Sequence, residues 1–218
     1  LACFWAAFRS RTNRRWYMVG FWFNLGLGMM TKAPLPLVLV GLPITAYWCL
    51  VLPVSRAFAS ERPAARLGGA VWVQIRSLPG FWTWTGIAVF AVLALAWPLY
   101  IYCMVPGALK LWRIEFLDRY AGQIGGESKP FWYYLPLICG VAAPFTLSLP
   151  EALAAPFLKL HRRHRGALLF VMTWFVVQLA FLSSSPFKRP HYIVPVLPAL
   201  SLLLAAAMLL HARHVIHH

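Results

Sequence analysis

Acidic residues are nearly missing from this chain: five Asp and Glu stand against 20 Lys and Arg in 218 residues. Charge of either sign is scarce, at 11% of residues, where soluble domains carry about 25%. Together with 61% hydrophobic residues, this scarcity excludes an ordinary soluble enzyme and a disordered tail. A formal charge of +15 taken alone would suggest nucleic acid. Here the bases are few and sit between long apolar runs, the composition of a polytopic membrane protein, so no nucleic-acid partner is expected. Cysteine is sparse too. Cys3, Cys49, Cys103 and Cys139 lie far apart in apolar runs with no CxxC spacing, which excludes a disulfide scaffold and argues against cysteine metal or redox chemistry. They read as buried small hydrophobes. No signal peptide, soluble domain or fixed-period repeat is visible. The first residue is Leu1, and residues 1–8 read as the end of an apolar helix, so a piece of something longer is expected.

A bilayer core needs about 20 mostly apolar residues per helix. On that measure the chain is all-α, a transmembrane helical bundle treated as one domain over residues 1–218. About six apolar spans follow the N-terminal helix remnant: 16–31, 35–53, 81–104, 131–157, 167–185 and 191–210. The first two read as one re-entrant element, because 16–31 covers only about 24 Å at 1.5 Å per residue, and Pro34 and Pro36 force a break beside Lys32.

Charge placement orients the spans. Arg9–Arg15, the 54–79 segment, Lys159–Arg165 and the tail carry thirteen Lys and Arg. The opposite connections, with Lys32, the 105–130 loop and Lys188-Arg189, carry seven. The side richer in Lys and Arg faces the cytoplasm. Glu115, Asp118 and Glu127 fall on the outer side, where both signs mix. The 54–79 segment reads equally as an interfacial stretch or a solvated loop.

Three places could carry chemistry. In the outer loop, Glu115 and Arg119 are four apart, so a helix puts them on one face and offers an Arg to an anionic head group. The alternative is a surface ion pair of little energetic weight. Trp132, Tyr133 and Tyr134 follow where a helix enters the membrane, a position aromatics also occupy merely as anchors. The second place is the hairpin Ser183–Pro195, where Lys188, Arg189, His191 and Tyr192 crowd into five residues. A phosphate at a membrane surface needs such donors: a point charge, a guanidinium fork and an oriented hydroxyl. A snorkelling basic pair beside an interfacial Tyr is the alternative. The third is Lys32, functional if it lies within the apolar layer and unremarkable at its edge. The terminal His211, His214, His217 and His218 have a spacing that binds metal adventitiously. The basic loop 159–165 reads as a topology determinant.

Taken together these motifs resemble a known family. Lys129-Pro130-Phe131-Trp132-Tyr133-Tyr134-Leu135-Pro136, preceded by Glu115 and Arg119, is similar to a stretch of the integral-membrane glycosyltransferases of the aminoarabinose (lipid A) transferase and protein mannosyltransferase superfamily. Gly26-Leu27-Gly28-Met29-Met30-Thr31-Lys32-Ala33-Pro34 resembles that family's GLxxLTKGP signature, with Ala33 for the usual Gly. Lys188-Arg189-Pro190-His191-Tyr192-Ile193-Val194-Pro195-Val196-Leu197-Pro198 resembles its KLPxYILPxxP signature.

The resemblance implies a GT-C fold and a pocket on the periplasmic face of a bacterial inner membrane. It implies transfer of a sugar from a polyprenyl phosphate to a lipid, protein or glycan acceptor. Arg119, Lys188, Arg189, Tyr192, Glu115, Tyr133, Tyr134 and Lys32 are the residues it points to for substrate and lipid phosphate. Phe116 stands where many relatives have a His, which leaves a divalent metal in the full-length protein in doubt. The family's essential acids precede anything present here, so these 218 residues are expected to be the C-terminal part of the enzyme and inactive alone. A lipid-linked transporter or flippase, and a non-catalytic scaffold binding anionic membrane lipids, are the competing readings. No inverted repeat supports the transporter.

Overall fold

The computed structural model describes residues 1–10, 12–32, 34–51, 83–118, 121, 128–158 and 164–216. They fall into two compact units, Leu1–Phe116 and Leu117–His218. Among the described residues every regular element is helical. The inner segment 54–79, Lys159–Arg163, Arg119 and the last two histidines lie outside them.

In the first unit, α1 (Ala2–Arg9) is followed closely by α2 (Arg14–Lys32). The Ser10 hydroxyl accepts a bond from the Asn13 amide at 3.1 Å, and Arg14 Nε donates to the Ala7 carbonyl at 3.3 Å. α3 (Leu35–Ala46) runs on into a π turn, Tyr47–Val51, whose Tyr47 and Trp48 are buried. Aromatic contacts join these pieces. Phe4 meets Phe21 at 5.8 Å and Trp48 at 6.2 Å, and Phe8 meets Trp48 edge-on at 5.0 Å.

α4 (Trp84–Met104) packs directly on α2. A Cβ built on Gly26 would stand 2.9 Å from Leu93 Cβ, and one on Gly86 would stand 2.7 Å from Trp22 Cδ1. Trp22 also meets Phe90 at 5.4 Å. Both helices therefore advance together, Trp22 beside Gly86 and Gly26 beside Leu93, which makes the pair parallel. In hydrocarbon, apolar side chains gain little by leaving lipid, so close backbone approach over small residues is what holds such a pair. Parallel packing puts the starts of α2 and α4 at one end, as the division of basic residues requires. After α4 comes α5 (Ala108–Arg113), entered through Gly107 at φ +82° and continued by a π turn, Ile114–Asp118.

The second unit opens with a 3-10 turn, Phe131–Tyr133, leading into α6 (Tyr134–Val141). A second piece combines a 3-10 turn (Phe145–Ser148), α7 (Leu149–Ala154) and another 3-10 turn (Ala155–Phe157). The two pieces meet at 118°. The expected span 131–157 is thus not one helix. Pro144 sits at the break, with Pro136, Pro150 and Pro156 around it; each removes an amide donor and crowds the preceding turn. The break satisfies its own backbone: Phe145 N donates to Ala142 O at 2.7 Å and Thr146 Oγ1 to Cys139 O at 2.7 Å.

α8 (Arg165–Ser184) then turns back through residues 185–189 into a 3-10 helix, Pro190–Val196, and α9 (Leu197–Ile216). The core of this unit is a stripe along that last element. Ile193, Val196, Ala199, Leu200, Leu203 and Ala207 lie against Tyr134, Ile138, Ala152 and Phe175. Spacings of three and four keep one face toward the core.

Among the described residues three helices are long and apolar enough to cross a membrane: Trp84–Met104, Arg165–Ser184 and Pro190–Leu209. The bent pair makes a fourth if it is counted as one span. It begins beside the hairpin that ends α8 and finishes a short connection before α8 starts. The remaining two of the six expected spans are helical but fall short of this measure. α2 is longer than expected, about 28 Å at 1.5 Å per residue, yet it carries Arg14, Arg15, Asn24 and Lys32. Leu35–Val51 is apolar but shorter than a full crossing.

Nor do the cysteines behave as buried hydrophobes: Cys103 and Cys139 are exposed, and Cys3 and Cys49 only partly covered. A helix face turned toward lipid can stay apolar without being covered by protein.

Candidate functional site

The hairpin between α8 and α9 is built on a chain crossing, and its local sequence explains the geometry. Lys129 N donates to the Pro186 carbonyl at 3.0 Å. Pro186 has no amide proton to return. The Lys188 side chain supplies the missing donor: its Nζ bonds to Lys129 O at 3.2 Å and to Ser185 O at 2.5 Å. Lys188 is only 5% exposed, and burial holds its ammonium below the ordinary lysine pKa. Hydrogen bonds from a charged donor are worth about 1.5–3 kcal/mol each, so two of them offset much of the cost of taking the charge out of water.

Arg189 is fixed at its backbone and open at its head. Its carbonyl accepts from Tyr134 Oη at 3.3 Å and from Tyr192 N at 3.1 Å. Its guanidinium lies 5.1 Å over the Phe187 ring. His191 packs edge-on against Tyr192 at 4.7 Å, and Tyr133 against Tyr134 at 5.4 Å. Arg189 and His191 are exposed, Tyr133 and Tyr192 half-buried, and Tyr134 fully buried. Residues 128–134 and 185–192 hold three cations (Lys129, Lys188 and Arg189) and no acid. Such a local excess of cations in the sequence favours anions.

The structure therefore brings together Tyr133, Tyr134, Lys188, Arg189 and Tyr192, five of the eight residues expected. Tyr134 and Lys188 direct their polar atoms to backbone carbonyls. Glu115 and Lys32 belong to the first unit. Glu115 is exposed in the π turn after α5; Arg119 lies outside the described residues. Lys32 closes α2. Two contributors escaped sequence reasoning as functional groups: the carbonyls of Lys129 and Ser185. The one sequence signal for the first was Pro186, a residue that cannot pair back. Among the described residues no three His, Cys, Asp or Glu side chains gather as a metal site.

The helices and the acid-free hairpin define a polytopic helical membrane protein. No family model matches the chain. Individual proteins do. The chain is 30% identical over 213 residues to undecaprenyl phosphate-alpha-4-amino-4-deoxy-L-arabinose arabinosyl transferase 1 of Pseudomonas fluorescens, covering 94% of this chain and 33% of the relative. It is 29% identical to transferase 2 of Proteus mirabilis, with the same coverage. It is 28% identical to the Pseudomonas aeruginosa LESB58 transferase, over 98% of this chain and 35% of the relative. Among solved structures, ArnT from Cupriavidus metallidurans bound to undecaprenyl phosphate superposes with a TM-score of 0.67 at 25% identity, over 94% of this chain and 34% of that one. Its apo form gives 0.62 at 24% identity, a likeness of fold.

The resemblance read from the three motifs is the one these comparisons show: the chain's homologues are the aminoarabinose transferases, and its fold is that of ArnT. The chain spans about a third of the length of the curated relatives it matches.

Proposed function

We propose that this chain is part of an integral-membrane glycosyltransferase that takes a sugar from an undecaprenyl-phosphate donor, working on the periplasmic face of the bacterial inner membrane. The observation that carries the reading is the acid-free cationic hairpin, at the end of two membrane helices, in a chain similar over nearly its whole length to transferases named for this lipid carrier. When the glycosidic bond breaks, the carrier phosphate departs with negative charge. Donors already fixed in place stabilise that charge without reorganising during the reaction. Arg189 offers a guanidinium fork from an anchored backbone, and Tyr192 and Tyr133 offer hydroxyls beside it. From the family motifs, Arg119, Glu115 and Lys32 are further candidates for contact with the donor, and the seven outer cations face the periplasm. The motif resemblance to the lipid A transferases makes lipid A the acceptor to test.

The test uses the full-length protein with undecaprenyl-phosphate-linked aminoarabinose and lipid A. Arg189→Ala and Arg119→Ala should each lower kcat/KM by about tenfold or more, the scale of a lost charge-assisted hydrogen bond. Arg162→Ala, on the opposite side, should leave it nearly unchanged. Equal effects at all three positions would remove the site assignment. Carrier moved across the bilayer with its sugar still attached would replace the transferase by a flippase.

A further inference from the structure

Lys188 stands apart from the other cations of the hairpin. Arg189 is exposed at the surface, whereas Lys188 is buried and already committed to two carbonyls, one of them on Lys129, 59 residues away in sequence. One of these, Lys129 O, sits where an ordinary strand pairing would receive an amide from the opposite chain. Pro186 cannot give one, so the ammonium completes the crossing that Lys129 N begins. The same ammonium closes the turn on itself through Ser185 O. Immediately after it, Arg189 is held by Tyr134 Oη and by the first amide bond of the following 3-10 helix. A lysine aimed at a lipid head group would leave its donors outward. This one directs two of its three inward.

We propose that Lys188 is a positioning residue: it fastens segment 128–130 to the hairpin and thereby sets where Arg189 and Tyr192 stand when they meet a lipid-linked phosphate. This rests on reading the hairpin as the phosphate site. The role is mechanical, and it can be separated from direct contact because a covalent link can replace a fastener but not a ligand.

The experiment uses the full-length protein, with direct binding of undecaprenyl phosphate as the main readout. Lys188→Met should weaken binding by about tenfold or more, in line with the loss of charged hydrogen bonds. Lys188→Arg, which keeps inward donors, should recover part of it. The pair Lys129→Cys and Pro186→Cys joins residues whose backbones bond directly, within the reach of a disulfide. In the Lys188→Met background the reduced pair is the reference, because Pro186→Cys itself returns an amide that can meet the Lys129 carbonyl. Oxidation should raise binding above that reference toward the starting value, and reduction should return it to the reference. If binding stays weak after the link closes, Lys188 touches the phosphate itself and the proposal fails. It also fails if Lys188→Met binds normally.

A second readout needs no ligand. The cysteine pair should oxidise faster with Lys188 present than with Met in its place; equal rates overturn the fastener. A wild-type protein that binds no undecaprenyl phosphate would remove the functional reading, while the oxidation rates would still decide the role of Lys188. Should Lys188→Met fail to accumulate, Lys188→Gln, an uncharged donor, takes its place in both arms.

Discussion

A single proline shapes the chemistry of the hairpin. Pro186 accepts a bond from Lys129 and cannot return one, and the buried Lys188 fills the gap. The cations and phenols of this segment were readable from the sequence, because they crowd into a few residues. The partners of Lys188 were not, because Lys129 is 59 positions away and acts through its carbonyl, an atom every residue has. Burial also makes a prediction about pH. Lys188 in the folded chain releases its proton below the ordinary value of 10.5, while the unfolded chain still holds it. Between the two values the unfolded state binds more protons, so stability should rise with pH across that alkaline window. Chemical unfolding in detergent at several pH values checks this. Lys188→Met should flatten the rise, and a rise that persists would mean another group causes it.

At the scale of elements, the parallel pair α2 and α4 depends on two glycines. Gly86→Ala would drive a methyl group to 2.7 Å from the Trp22 ring, and overpacking of this kind costs about 1–3 kcal/mol. Gly41 in α3 has nothing within 4 Å of the same position. Gly41→Ala should therefore be neutral or gain up to about 1 kcal/mol from helix propensity. Unfolding of both variants in detergent separates packing from propensity; similar behaviour would contradict the close approach. Helix existence is legible from apolar runs, and α8 and the span Pro190–Leu209 fall within a few residues of expectation. The bend within 131–157 is not legible from its apolar run, even with four prolines in it, because run length measures how much chain is apolar and carries no sign of where it bends. The pairing of Gly26 with Leu93 lies beyond any local pattern.

For the whole molecule, the thirteen-to-seven division of basic residues makes a claim about sides. In a cysteine-free background, Asn13→Cys and Thr83→Cys, at the starts of α2 and α4, should respond alike to a membrane-impermeant maleimide on intact cells. Lys110→Cys, beyond the far end of α4, should respond oppositely. One response at all three positions would contradict the parallel arrangement. The same arrangement bears on how the protein is made. α2 is the less apolar member of its pair, with Asn24, Arg14 and Arg15 in it, and the face that accepts Trp22 belongs to a helix not yet synthesised when α2 leaves the ribosome. At about 5–20 residues per second, Leu93 emerges seconds after Gly26, and for that interval the insertion machinery or the neighbouring α1 and α3 must shelter a helix that lipid alone holds poorly.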